Sequence, residues 1–256
     1  MGVEASRGAW YLRGMEPLHG RVALVTGGTR GIGRAIARDL AGAGMRVVLT
    51  GRDAHRAAEV AQSVATEAGV TGGDVLGLGA DVRDLAALEA AVAATLARYG
   101  RLDAVVANAG LGRFAAVDEL TVEAWREVLD VNLTGAFHTV KATTAALVAS
   151  RGVLVTIGSL AGVNAFAGGA AYNAAKFGLV GFTHAVMLDL RERGVRVSTI
   201  MPGSVATGFG GHAPSAADDW KIQPEDIAEA VRFVISSPSR TLPSRIEVRP
   251  ARTRPA

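Results

Sequence analysis

Residues 21–33 read Arg21-Val22-Ala23-Leu24-Val25-Thr26-Gly27-Gly28-Thr29-Arg30-Gly31-Ile32-Gly33. The first six form a short apolar run, rich in branched side chains, of the kind that makes a strand covered on both faces. A glycine loop follows at once, and an amphipathic stretch then continues to about residue 43. Strand, glycine loop and helix in this order make a dinucleotide-binding arrangement. Bare glycine backbone lets a pyrophosphate approach, and the helix N-terminus offers it N–H groups and a positive dipole. Gly27, Thr29, Arg30, Gly31, Ile32 and Gly33 are therefore candidate cofactor-binding residues. A glycine-rich turn alone carries no such meaning; the flanking strand and helix supply it.

Residues 47–50 make the second strand, whose end discriminates between the two nicotinamide dinucleotides. An acid there accepts hydrogen bonds from a ribose 2′-hydroxyl. Here the strand runs into Gly51-Arg52 instead. With Arg30, Arg52 offers two guanidinium groups, which suit a 2′-phosphate. Asp53 is the rival acid, but it stands past the strand, where it caps a helix over residues 55–68. The cofactor expected is NADP(H).

Strands and helices keep alternating. A third strand over residues 75–80 ends at Asp81-Val82, where Asp81 either accepts from an adenine amino group or caps the helix running to residue 99. A fourth, over residues 102–107, ends in Asn108-Ala109-Gly110, at the carboxyl end where α/β sheets bind ligands. A long helical region is expected over residues 121–149 with Asn132 inside it, a poor interior helix residue that seeks local hydrogen bonds. A strand over residues 153–157 ends in Gly158-Ser159. A helix through Tyr172 runs to residue 193, a strand covers residues 195–200, and Met201-Pro202-Gly203 follows. A last helix starts at residues 223–226, and residues 245–248 make a final strand. This order predicts an α/β fold: one doubly wound parallel sheet of about seven strands in a single domain over residues 19–250. Residues 1–18 read as a loose extension and residues 251–256 as a tail.

Composition narrows the classes. The 256 residues are 49% hydrophobic and 20% charged, ample for one large core. There is no cysteine, and the five histidines lack ligand spacing, so no metal site is read. The net charge of +3 is carried almost wholly by arginine, with no Lys/Arg run and no aromatic interleaving, so no nucleic-acid partner is expected. No apolar stretch has the length of a membrane span, and no signal-peptide core opens the chain. A cytoplasmic protein is expected, despite the short Met1-Gly2-Val3-Glu4-Ala5-Ser6 match to a myristoylation pattern.

Tyr172 and Lys176 stand four residues apart, on one face if the stretch is helical. An ammonium group beside a phenol favours the phenolate and lowers a tyrosine pKa, which suits general acid–base chemistry on an alcohol or carbonyl. Alone, the spacing is equally that of an ordinary helix face.

Taken together, the glycine loop, Asn108-Ala109-Gly110, Asn132, Ser159 thirteen residues before Tyr172, Tyr172-xxx-Lys176, and Pro202-Gly203 through Thr207 resemble the short-chain dehydrogenase/reductase family. The resemblance implies a Rossmann-type fold and hydride transfer between NADP(H) and a small carbonyl or secondary alcohol. It implies that Tyr172 is general acid in reduction and base in oxidation, and that Ser159 hydrogen-bonds the substrate oxygen. Lys176 then binds the nicotinamide ribose and lowers the tyrosine pKa, and Asn132 holds a water that relays protons. Pro202, Gly203, Val205 and Thr207 close over the nicotinamide.

Two departures stand out: Ala107, where the family often has asparagine, and a basic C-terminus in place of a glycine-rich one. His138 and Leu188 occupy positions where acyl-carrier-protein reductases tend to carry docking arginines. The segment of residues 204–223 is expected to cover the substrate, with Leu160, Val163, Phe166 and Phe209 as an apolar wall. A homotetramer or homodimer is implied, packed through the helices of Asn132 and Tyr172, where Ala170, Ala171, Ala174 and Ala175 allow close approach. The alternatives are a 3-oxoacyl-thioester reductase and, from another class, a catalytically idle NADP-binding sensor.

Overall fold

In the computed structural model, which describes residues 15–211, 215 and 218–252, strands and helices alternate as the sequence implies. Strands β1 (Val22–Val25), β2 (Arg46–Gly51), β3 (Val75–Gly79), β4 (Ala104–Ala107), β5 (Val153–Ile157), β6 (Arg196–Pro202) and β7 (Arg245–Val248) form one sheet in the order β3-β2-β1-β4-β5-β6-β7. Every pairing is parallel. The order reverses between β1 and β4, and the cleft where ligands bind such sheets lies at that switch.

Helices α1 (Gly31–Gly42), α2 (Ala54–Ala68), α3 (Leu85–Tyr99), α4 (Val122–Leu129), α5 (Gly135–Ser150), α6 (Ala170–Arg191) and α7 (Pro224–Ser236) are distributed over the two faces. Strand alternation explains how. Ala23, Val25, Val47 and Leu49 pack with Ile36 and Leu40 of α1, Val60 of α2 and Val231 of α7. Val22, Leu24, Val48 and Leu154 point the other way, onto Val92 of α3, Val140 and Leu147 of α5 and Leu190 of α6. Both faces of the central strands are thus apolar, which is why they read as continuous hydrophobic runs.

The helical region expected over residues 121–149 is helical throughout and carries a π-turn at Asp130–Thr134. Two expectations are corrected. Helix α3 is capped by Asp84, which accepts from Ala86 N and Ala87 N at 2.9 and 3.2 Å, and not by Asp81. Of the expected loose extension, residues 1–14 lie outside the described residues, but residues 15–18 are docked. Glu16 N donates to Ser236 O at 2.7 Å, its carboxylate meets Arg21 at 2.7 Å, and Leu18 is buried. Asp53 does cap α2, accepting from Arg56 N at 3.0 Å.

Candidate active site

A cleft of about 1210 Å³ opens along the carboxyl ends of the strands. Its floor is the turn between β1 and α1. Thr26 clips that turn to the end of β4: its hydroxyl accepts from Asn108 N at 3.1 Å and Ala109 N at 3.2 Å. The Asn108 amide returns two bonds, to Thr26 O at 2.9 Å and Gly27 O at 3.1 Å. These cross-ties fix the loop although Ala107 is apolar and buried. At Gly33 a Cβ would lie 2.4 Å from both Asn108 Nδ2 and Gly27 O, so only glycine lets helix, loop and strand end meet. Gly31, whose φ is +52°, holds a conformation that a side chain would strain, and Thr207 of the loop after β6 lies at contact distance, 3.4 Å from where its Cβ would be. The first intrahelical bond of α1 is Arg34 N to Arg30 O at 3.2 Å, leaving the N–H groups of the preceding turn without intrahelical partners. Bare backbone and free donors together fit a dinucleotide pyrophosphate.

All the remaining expected cofactor residues line the same cleft: Thr29, Arg30, Ile32, Arg52, Asp81, Val82, Gly110, Pro202, Gly203, Val205 and Thr207. Arg30 and Arg52 are exposed there, and neither makes an ion pair within 4 Å among the described residues. Asp81 is held below the usual carboxylate range by its hydrogen bond to Arg83, with the Arg52 charge adding to the effect.

Ser159, Tyr172 and Lys176 meet in the middle of the cleft. Ser159 ends β5 in an extended conformation, and its hydroxyl accepts from Ala161 N at 3.1 Å, capping the 3-10 turn Leu160–Gly162. Asn173, buried on α6, pins the same turn by donating to Ala161 O at 2.8 Å. Lys176 is buried and donates to Ile157 O at 2.9 Å, with its Nζ 5.7 Å from the Tyr172 ring centroid. Burial lowers the lysine pKa to about 8. Burial also raises the Tyr172 pKa, opposed by contact with the Ser159 hydroxyl. The net shift is thus upward and not the lowering expected from Lys176, because burial disfavours the phenolate.

Asn132 does not line the cleft. It is buried in the π-turn, where its amide donates to Leu111 O and Val128 O at 2.8 Å each and its oxygen accepts from Leu111 N at 3.2 Å. Both side-chain hydrogens are used by protein carbonyls. The residue braces the loop after β4 and does not present its side chain to the reacting groups.

The rest of the cleft is lined by apolar and by basic side chains. Leu160, Phe166 and Phe209 line it as expected, whereas Val163 does not: it closes the 3-10 turn, donating to Leu160 O at 3.1 Å. Phe114 takes the expected place of Val163, its ring centroid 5.6 Å from Tyr172 and 5.8 Å from Phe166. Sequence reasoning missed Phe114, and also Trp220, Lys221, Arg249 and Arg252. The usable signal is position, since all follow the carboxyl end of a strand. The covering segment is rooted by Ile222 N to Ser204 O at 3.0 Å and Ala206 N to Ile222 O at 2.8 Å; residues 212–214 and 216–217 of it lie outside the described residues.

A family model described as "short chain dehydrogenase" matches residues 21–217. A 3-oxoacyl-[acyl-carrier-protein] reductase of Synechocystis sp. is 35% identical over 232 residues, covering 88% of this chain and 93% of the relative. An alcohol dehydrogenase from the archaeon Thermococcus sibiricus, complexed with 5-hydroxy-NADP, superposes with a TM-score of 0.85 at 32% identity, over 92% of this chain and 99% of that one. A 3-ketoacyl-(acyl-carrier-protein) reductase from Brucella melitensis, complexed with NADH, does so with a TM-score of 0.82 at 27% identity, over 92% and 99%.

Proposed function

The chain belongs to the short-chain dehydrogenase family, and within it we propose an NADP(H)-dependent enzyme that interconverts a small carbonyl compound and the corresponding secondary alcohol. The observation that carries this reading is the meeting of Ser159, Tyr172 and Lys176 in one cleft with the glycine loop. When bound, the nicotinamide supplies or accepts the hydride. Tyr172 gives its phenolic proton to the substrate oxygen in reduction and takes it back in oxidation. The Ser159 hydroxyl donates to the same oxygen and stabilises its developing charge. Lys176 would hold the nicotinamide ribose. Asn132 acts as a positioning residue through the Leu111 backbone, and a proton-relay water, if it uses Asn132, uses its backbone and not its amide group.

Among the described residues Arg30 and Arg52 have no ion-pair partner, which supports NADP(H) over NAD(H), since such a cation at the end of β2 suits a 2′-phosphate. A homotetramer or homodimer is part of the proposal, supported by Phe137 on α5 and Phe177 on α6, which are 45% and 46% exposed. Of the four alanines expected at such an interface, Ala171 and Ala175 are packed inward against Val128 and do not serve it. Among the described residues no helix is long and apolar enough to cross a membrane.

The test is initial-rate oxidation of NADPH, with NADH in parallel, over ketones, aldehydes and 3-oxoacyl thioesters, for the wild type and Tyr172→Phe. The expected result is an NADPH preference and a loss of about 10²–10⁴-fold in kcat for Tyr172→Phe. Highest activity on 3-oxoacyl thioesters would move the reading to the activity named for the Synechocystis relative. Cofactor binding without turnover on any carbonyl would move it to an idle NADP-binding protein.

A further inference from the structure

The charge along the cleft is lopsided. Among the described residues lining it, Arg30, Arg52, Lys176, Lys221, Arg249 and Arg252 are basic and Asp81 is the one acid. Asp81 is already matched by Arg83 at 2.6 Å. Arg30 and Arg52 stand at the β2 end and Lys176 at the centre, and all three have roles in the proposed function. Lys221 is paired with Asp218 at 2.6 Å. Two cations at the β7 end are left over. Arg249 shares the single carboxylate of Glu247 with Arg245, and Arg252 makes no ion pair within 4 Å among the described residues.

These two side chains reach the reacting end because of how the chain leaves β7. Gly203 N donates to Val248 O at 2.8 Å, which holds the end of β7 against the loop after β6. A Cβ on Gly203 would lie 3.0 Å from Pro250 Cδ and 3.2 Å from Leu160 Cδ1. Pro250 and Leu160 thus both lie against Gly203, and Arg249 and Arg252 stand within two residues of Pro250. The end of β2 is five strand spacings away, about 24 Å, so a 2′-phosphate there is no partner for them. Across this half of the cleft Phe114, Phe166 and Phe209 form an aromatic wall around Tyr172, with Phe209 and Tyr172 ring centroids 5.6 Å apart. A guanidinium without an ion pair among the described residues, lining the same cleft as these rings, suits a molecule with an apolar body and an anionic end.

We propose that the carbonyl substrate carries its own carboxylate, bound by Arg252 with help from Arg249 while its body lies on the three phenylalanines. This rests on the reductase reading and names its substrate class. The probes are 4-acetylbenzoate and 4-acetylbenzamide, which share a ring and a ketone and differ in charge. The expected result is a higher kcat/KM for the acid, carried by KM and weakened by salt, with the acid-to-amide ratio falling about tenfold or more in Arg252→Gln and further in Arg249→Gln/Arg252→Gln. Equal use of acid and amide by the wild type overturns the proposal. So does an Arg252→Gln variant that weakens both ketones alike while raising KM for NADPH, because the arginine then serves a cofactor phosphate. Titrating the enzyme–NADPH complex with each ketone, read by nicotinamide fluorescence, needs no turnover. Acid-selective quenching that Arg252→Gln abolishes supports the anion site even if neither ketone is reduced, in which case the reductase reading alone fails. Quenching that does not discriminate acid from amide, or no quenching, counts against the site.

Discussion

Lys176 shows how burial ties the charge of one side chain to stability. Its ammonium is buried, with the Ile157 carbonyl 2.9 Å away, and burial brings its pKa from 10.5 to about 8. Between those two values the unfolded chain binds a proton that the folded protein has released. The lysine's contribution is therefore complete above the unfolded value and is lost as pH falls through about 8. Stability attributable to this residue rises with pH across the window, by up to roughly 3 kcal/mol. Denaturant unfolding at several pH values, wild type against Lys176→Met, should show that slope in the wild type and its loss in the variant; parallel curves would mean that the lysine titrates normally. Tyr172 is shifted the opposite way, upward by burial, so the protein alone keeps the phenol protonated at neutral pH, ready to donate. The Tyr–Lys spacing in the sequence identified the pair but not the sign of the tyrosine shift, which depends on how much water the fold removes.

Two short elements hold the loops that shape the cleft. At the start of α1, the absence of a Cβ at Gly33 allows the Asn108 amide to reach Thr26 O and Gly27 O. Between α4 and α5, the π-turn brings Asn132 beneath the loop after β4. The apolar pattern of residues 121–149 reads as one helix, because a π-turn inserts only one extra residue into an otherwise helical ladder. Its consequence is specific: three hydrogen bonds from one side chain, two of them to the Leu111 backbone. Asn132→Ala leaves Leu111 N and O without these partners and should lower stability by about 1–3 kcal/mol. It should also raise KM for both cofactor and substrate more than it lowers kcat, as expected of a residue acting through the loop. A fall in kcat alone, with unchanged stability, would instead make it part of the proton path. Thermal unfolding and steady-state kinetics on one preparation distinguish the two.

Over the whole molecule, the parallel sheet carries its ligand groups along one edge of the strands and separates two clusters of cations. The β2 cluster of Arg30 and Arg52 predicts that Arg30→Ala/Arg52→Ala raises KM for NADPH by about ten- to a hundredfold, at roughly 1–3 kcal/mol for lost charged hydrogen bonds, with little change in KM for NADH. Equal effects on both cofactors would overturn the assignment. The amino-acid sequence by itself determined the alternation of strands and helices, the bounds of β5 and β7, the cap at Asp53, and the glycine loop with its order of motifs. These rest on periodicities of two and 3.6 residues and on local turn chemistry, which need no distant partner. Only the tertiary structure decided that Phe114 and not Val163 faces Tyr172, that Asn132 braces a loop instead of lining the cleft, and that Arg249 and Arg252 line the same cleft as Leu160. A cleft at the ends of seven strands is built from loops as far apart as residues 29 and 252. Which of their side chains meet is set by the order of strands in the sheet and by packing between loops, neither of which leaves a local periodic trace in the chain.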